Sequence, residues 1–320
     1  MSGAVSVAQL RDVEAALEGR HAAAADGRRE SNTDGLLSGP RGRAARAALT
    51  LLQRANLLWR FNFTVSGRLG GRPVIVPLIK GEGIQLIRGD EPWMLTLLAQ
   101  LMSQRPGAFI DVGANLGQTL IKVRAVEPDR PYIGFEPNAA ACHYCRELIR
   151  VNRYRNVTLF PVGLSTSSDV VLLFSKAETD PSASIVADFR PRARYSGAQP
   201  VSVHAGDEVL KPLGLEKIGI VKIDVEGGEL DVMRGLLGTI RTHRPIVLCE
   251  VLPVYDPATP EGKARKARQD QLQALLVGER YAIHRIMDGT PTPVAEFGVH
   301  GDIALSNYVF VPADLSGAAA

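Results

Sequence analysis

Phe109-Ile110-Asp111-Val112-Gly113-Ala114-Asn115-Leu116-Gly117 decides the fold: an apolar run of strand character enters two glycines and then, with no linker, a helical pattern. A strand that turns directly into a helix is the repeating unit of a parallel sheet covered by helices. Gly113 and Gly117 remove side chains where a ligand would touch the backbone. The helix beginning near Gly117 offers unpaired N–H groups to an anion. A nucleotide-like ligand is therefore expected beyond the carboxyl end of this strand.

The same alternation continues outward. Upstream, Asp90 and Pro92 open a helix that Pro106-Gly107 stops. Downstream, strands are expected at Tyr132–Phe135, Val157–Pro161, Ile218–Ile223 and Ile246–Val251, with a helix over Ala139–Asn152 and another carrying Leu230, Val232, Met233, Leu236 and Leu237. Tyr281–Met287 and Tyr308–Val311 read as a terminal antiparallel pair, and Ser165–His204 as an irregular stretch with a hairpin around Val170–Phe174. The fold class is α/β, with a mostly parallel sheet.

Composition sets bounds on function. Of 320 residues 45% are hydrophobic and 22% charged, and no run reaches the ~18 apolar residues of a membrane span. A net charge of +3 gives no electrostatic footprint for nucleic acid. Arg11, Asp12, Glu14 and Glu18 interrupt any secretory leader, and three cysteines make no disulfide framework, so a cytoplasmic protein is expected. The chain divides into an N-terminal extension over 1–48, with a short helix at Val7–Leu17 and a turn cluster at Ser31–Gly35, a basic segment over 49–82 with a helix at Leu49–Trp59, and the main domain over 83–315. Between Gly35 and Gly81 there is no acidic residue but eight basic ones, which reads either as a solvated face or as peripheral contact with an anionic surface.

Acids at the strand ends sharpen the reading. Asp111 lies two positions before Gly113, and the glycines do not follow GxGxxG, so the turn suits a ligand carrying a cation better than a pyrophosphate. S-adenosylmethionine has such a cation in its ammonium. Glu136, directly after the second strand, is placed to accept both hydroxyls of a ribose. Asp224 and Glu226 leave the end of a buried strand together, where unpaired acids are costly, and either can take a proton from an acceptor hydroxyl. Glu229, in the first turn of the next helix, suits the helix dipole.

These segments, with Glu136-Pro137-Asn138, Lys222-Ile-Asp-Val-Glu-Gly-Gly-Glu229 and Arg244-Pro-Ile-Val-Leu-Cys-Glu250, resemble the FkbM family of S-adenosylmethionine-dependent methyltransferases over approximately Gly83 to Pro253. The resemblance implies a seven-stranded class I methyltransferase fold and O-methylation of a sugar, glycan or secondary metabolite. It places Asp111, Gly113, Asn115, Gly117 and Glu136 on cofactor positions, and Asp224, Glu226 and Glu250 on acidic positions of the catalytic end. His204-Ala-Gly-Asp207 departs from the family's Thr-Leu-Asp, which leaves the acceptor open, and Ser182-Ala-Ser184 reads as part of a flexible polar loop. Cys142 and Cys145 read as helix packing, the six histidines as scattered structural residues, and Lys263–Arg268 as a solvated helix face or a grip on an acidic substrate. No metal site is demanded. Two alternatives stand beside the methyltransferase: an NAD(P)-dependent oxidoreductase, and a non-catalytic scaffold bound to glycan or membrane.

Overall fold

The computed structural model describes residues 36–37, 39–89, 91–176, 179–180, 182–186 and 195–314. The chain begins there with helix α1 (Gly39–Arg54), a short 3-10 turn at Leu58–Arg60 and a hairpin of β1 (Asn62–Leu69) and β2 (Arg72–Ile79). Helices α2 (Ile84–Arg88) and α3 (Pro92–Gln104) lead into β3 (Ala108–Val112), α4 (Gln118–Val126), β4 (Tyr132–Phe135), α5 (Ala139–Asn152) and β5 (Val157–Phe160). After β6 (Gly163–Ser165), β7 (Asp169–Ser175) and β8 (Gly197–Ala205) come α6 (Gly206–Leu210), β9 (Ile218–Ile223), α7 (Glu229–Gly235), α8 (Leu237–His243) and β10 (Ile246–Glu250). The long α9 (Pro260–Gly278) precedes β11 (Tyr281–Met287), β12 (Thr290–Pro293) and β13 (Asn307–Pro312).

The central sheet has the order β12-β11-β13-β10-β9-β3-β4-β5. Its middle is parallel and buried on both faces, which is why β3 and β9 read as continuous apolar runs. The expectation of seven strands is corrected to eight. The added strand is β12, whose Thr-Pro-Thr-Pro sequence has no strand signature and is tolerated because it lies at the edge. The register sets Asp111 of β3 between Gly134 of β4 and Lys222 of β9.

Other departures have local causes. The hairpin expected around Val170–Phe174 is one arm of a three-stranded sheet, β6-β8-β7, in which β7 pairs with the distant β8. The helix after β9 breaks at Leu236 into α7 and α8; Gly235 at the break packs so closely that a Cβ there would stand 1.9 Å from the Ser165 carbonyl oxygen. The boundary drawn at residue 48 falls inside α1, and the helix expected over Leu49–Trp59 starts earlier and ends at Arg54. Apolar residues every second position on β2, Val74, Val76 and Leu78, join Leu49, Leu116, Ile121 and Leu148 in one cluster. Tyr144 donates to the Pro77 carbonyl at 2.6 Å and Asn152 accepts from the Ile75 amide at 2.8 Å, so the basic segment is sewn onto α5 rather than preceding the domain. The helix expected near Val7–Leu17, the turn cluster Ser31–Gly35 and the Asp90 cap lie outside the described residues.

On the outer side of this layer Trp59 and Phe61 are about half exposed beside exposed Arg54, Arg60 and Lys80. No helix among the described residues is long and apolar enough to cross a membrane.

Candidate active site

The turn after β3 is built by backbone contact. Gly113 and Ala114 both donate to the Phe135 carbonyl at 3.0 Å, and Asp224 donates to the Val112 carbonyl at 3.0 Å. Gly113 has φ 86°, and a Cβ there would stand 1.9 Å from the Asp224 carbonyl oxygen; at Gly117, φ 91°, it would stand 2.7 Å from Leu148 Cδ2. Both glycines are thus required by the packing of the turn on β9 and α5. The packing by itself accounts for both glycines.

Asn115, at φ 46°, donates its amide to Glu136 Oε2 at 2.8 Å, and the Asn138 amide donates to Oε1 at 2.8 Å. Asn138 then caps α5 by accepting from the Ala140 and Ala141 amides. Burial pushes the Glu136 carboxyl up to about 7, against the pull of those two N–H donors.

Glu136 and Asn115 face a cavity of about 300 Å³, within the range of small-molecule sites. Gly113, Asn115, Glu136, Asp224, Glu226 and Glu250 all reach its wall, so six of the eight expected site residues come together. Gly117 does not, and neither does Asp111. Asp111 is fully buried beneath the turn, where the Tyr132 hydroxyl donates to it and Lys222 Nζ lies 3.6 Å away. Burial raises its pKa, with Lys222 and Tyr132 opposing. Asp111, expected to meet a ligand ammonium, thus lies off the cavity wall and braces its floor.

At the other end, Lys222 Nζ reaches Asp224 Oδ2 at 3.1 Å. Burial pushes the Asp224 carboxyl up, but Lys222 and hydrogen bonds from Glu250 and Lys222 outweigh it and bring it below the usual range. Glu250 is driven upward by burial and by the Asp224 charge, while Ser306 donates to its Oε1 at 2.9 Å. The surroundings thus favour the negative charge on Asp224 and the proton on Glu250. Glu226, at φ 54°, turns the chain away from β9, and its carbonyl accepts from the Ser184 hydroxyl at 2.7 Å. Ser184 is fully buried and bridges Phe174, so Ser182-Ala-Ser184 is pinned across the site rather than forming a loose loop.

Glu229 accepts from the Gly227 amide at 2.7 Å, is pushed up to about 7 by burial, and stands outside the cavity. Cys142 and Cys145 are buried free thiols, and no His, Cys, Asp and Glu group among the described residues is arranged to hold a metal. In the basic run of α9, Arg265 is buried against the Pro253 carbonyl and Arg268 holds the Gly227 carbonyl and Asp231. Arg268 thus braces the acidic loop and Arg265 the segment after β10, rather than both forming a solvated face.

Sequence reasoning assigned no role to Lys222, Glu91 or Lys122, all of which reach the cavity wall. A lysine inside the six-residue buried strand β9 was a usable signal, because such a charge needs partners. Ser306 had none, since it follows a long irregular connection.

Residues 111–267 match the Methyltransferase FkbM domain. Methyltransferase sdnD of Sordaria araneosa is 25% identical over 204 residues, 55% of this chain and 74% of that protein. Hexuronic acid methyltransferase AglP of Haloferax volcanii is 27% identical over 177 residues, 54% of this chain and 67% of that protein. Among solved structures, a methyltransferase FkbM from Methylobacillus flagellatus KT superposes with a TM-score of 0.41 at 14% identity, covering 64% of this chain and 43% of the other.

Proposed function

Because the chain belongs to the FkbM methyltransferase family, we propose that it uses S-adenosylmethionine to methylate a hydroxyl of a sugar, glycan or secondary metabolite. The observation that carries this reading is one cavity with a backbone-held carboxylate, Glu136, at one end and the Asp224–Glu250 pair at the other. The residues fit the cofactor: Asn115 Oδ1 is buried without a hydrogen-bond partner, and Glu136 presents its carboxylate beside it. Glu136 would hold the ribose hydroxyls and Asn115 a donor of the bound molecule. When bound, S-adenosylmethionine supplies an electrophilic methyl group.

Asp224, kept ionised by Lys222, is the group that takes the acceptor hydroxyl's proton, and Glu250 enters as a hydrogen-bond donor that orients it. Glu226 turns toward the same space and positions the acceptor. The hexuronic acid specificity of one relative supports a sugar acceptor. The family assignment replaces the oxidoreductase and scaffold alternatives. Three free, buried cysteines support a reducing compartment such as the cytoplasm. Half-exposed Trp59 and Phe61 among arginines support a peripheral contact with an anionic surface.

The test is calorimetric binding of S-adenosylmethionine together with a labelled-methyl assay on uronic-acid glycans and extracted metabolites. Glu136→Ala is expected to abolish binding, and Glu226→Gln to leave binding intact and slow turnover. If both changes impaired binding alone, the division of roles would be wrong.

A further inference from the structure

With Asp111 sealed beneath the floor, β3 presents no carboxylate to the charged end of the cofactor. A different acid stands in the cavity wall. Glu91, at the entrance to α3, adopts φ 53° and ψ 63°, a left-handed conformation that a residue with a side chain adopts at a cost. Its side chain does not cap the helix it precedes. Instead its Oε2 lies 3.4 Å from Lys122 Nζ. Lys122 sits on α4 one turn beyond Gln118, roughly 6 Å along the helix from its first residue. Its side chain is 9% exposed and that of Glu91 38%, and both line the cavity.

The 3.4 Å contact is longer than the roughly 2.7–2.9 Å of a close charge-assisted hydrogen bond, and Lys122 Nζ also lies 3.7 Å from Met94 Sδ. Glu91 also acts electrostatically on Lys222, and Lys122 on Asp224, and all four line the same cavity. A carboxylate and an ammonium side by side in one wall complement a ligand group that carries the same two charges. We propose that Glu91 and Lys122 form the subsite for the zwitterionic amino-acid end of S-adenosylmethionine, Glu91 receiving the ammonium and Lys122 the carboxylate. This rests on the cofactor reading above. The strained backbone at Glu91 is then retained for binding.

The discriminating probes are S-adenosylhomocysteine, which has the amino-acid end, and 5′-methylthioadenosine, which lacks it. Calorimetric titration of the full chain is expected to show the wild type preferring S-adenosylhomocysteine. Glu91→Gln and Lys122→Met should each weaken that ligand about 10- to 100-fold while changing 5′-methylthioadenosine less than about threefold. Glu91→Gly relieves the strain, so it should raise the melting temperature and still lose the preference, a combination that a merely structural role does not produce. An unchanged preference in the three variants overturns the subsite, and would return the pair to a structural role or to the acceptor. A wild type that binds neither probe overturns the cofactor reading itself and the subsite with it.

Discussion

The two ends of the cavity hold their carboxylates by opposite means. Glu136 is gripped by the Asn115 and Asn138 backbone amides, whereas Asp224 is matched to the Lys222 ammonium and to a neighbouring acid. Backbone donors fix orientation but leave the buried charge costly, so Glu136 sits near 7. A cation and a proton-bearing partner do the reverse, keeping Asp224 ionised and Glu250 neutral. On the function proposed above, one end holds a neutral diol in a fixed pose and the other accepts a proton. Rigidity and charge have been supplied by different parts of the chain.

Removing the cation should erase that contrast and have the largest effect. Lys222→Met leaves Asp111 and Asp224 without their shared partner, and denaturant titration should show a loss of about 3–5 kcal/mol. Adding Asp111→Asn to that change should restore part of the loss, because one of the stranded carboxylates is gone. Asp224→Asn keeps the shape of the acidic end without its charge. Initial rates should fall about 10²–10⁴-fold while cofactor affinity stays within a few-fold. An equal loss of affinity would mean that the two ends are not separable.

The other end is tested by pH. Burial holds Glu136 at about 7, above the 4.5 of an ordinary glutamate, so the folded state keeps a proton that the unfolded chain has released. Its contribution is therefore most favourable below pH 4.5 and is lost as the pH rises through 7, worth roughly 3 kcal/mol over that window. Comparing urea stability of wild type and Glu136→Gln across this range isolates it from Glu229, which is raised to the same value. Cofactor affinity should run the opposite way, because only the ionised carboxylate accepts two hydroxyls. It is expected to weaken about tenfold per unit below pH 7 and to level off above it. The smallest effect is at the periphery: Trp59→Ser should reduce sedimentation with phosphatidylserine vesicles a few-fold, with no change in cofactor binding.

Much of this was legible in the chain itself. The strand-to-helix turn at Phe109–Gly117 and the acids after β4, β9 and β10 announce themselves because apolar runs and their ends are local patterns. What escaped depends on contacts between distant segments. Nothing around Asp111 says that Tyr132 and Lys222 will close over it, since that follows from the register of three strands. Gly113 announced an absent side chain but not that the Asp224 carbonyl was the reason. The hairpin of β1 and β2 hid behind its arginines, although alternation on β2 gave its inner face away. Glu91 was invisible as a wall residue because its conformation, not its neighbours in sequence, aims it.

The carbonyl of Asp224 occupies the space that a side chain at position 113 would fill. On the proposed reading, donor pocket and reactive acid are therefore spaced by main chain against main chain, a separation that no ordinary side-chain exchange can tune. Diversification of acceptor range would then fall to covering residues such as Leu173, Asp180, Ala183, Ile185, Gln85 and Gly89, which border the same space and can be exchanged while the reach of the proposed reaction stays fixed.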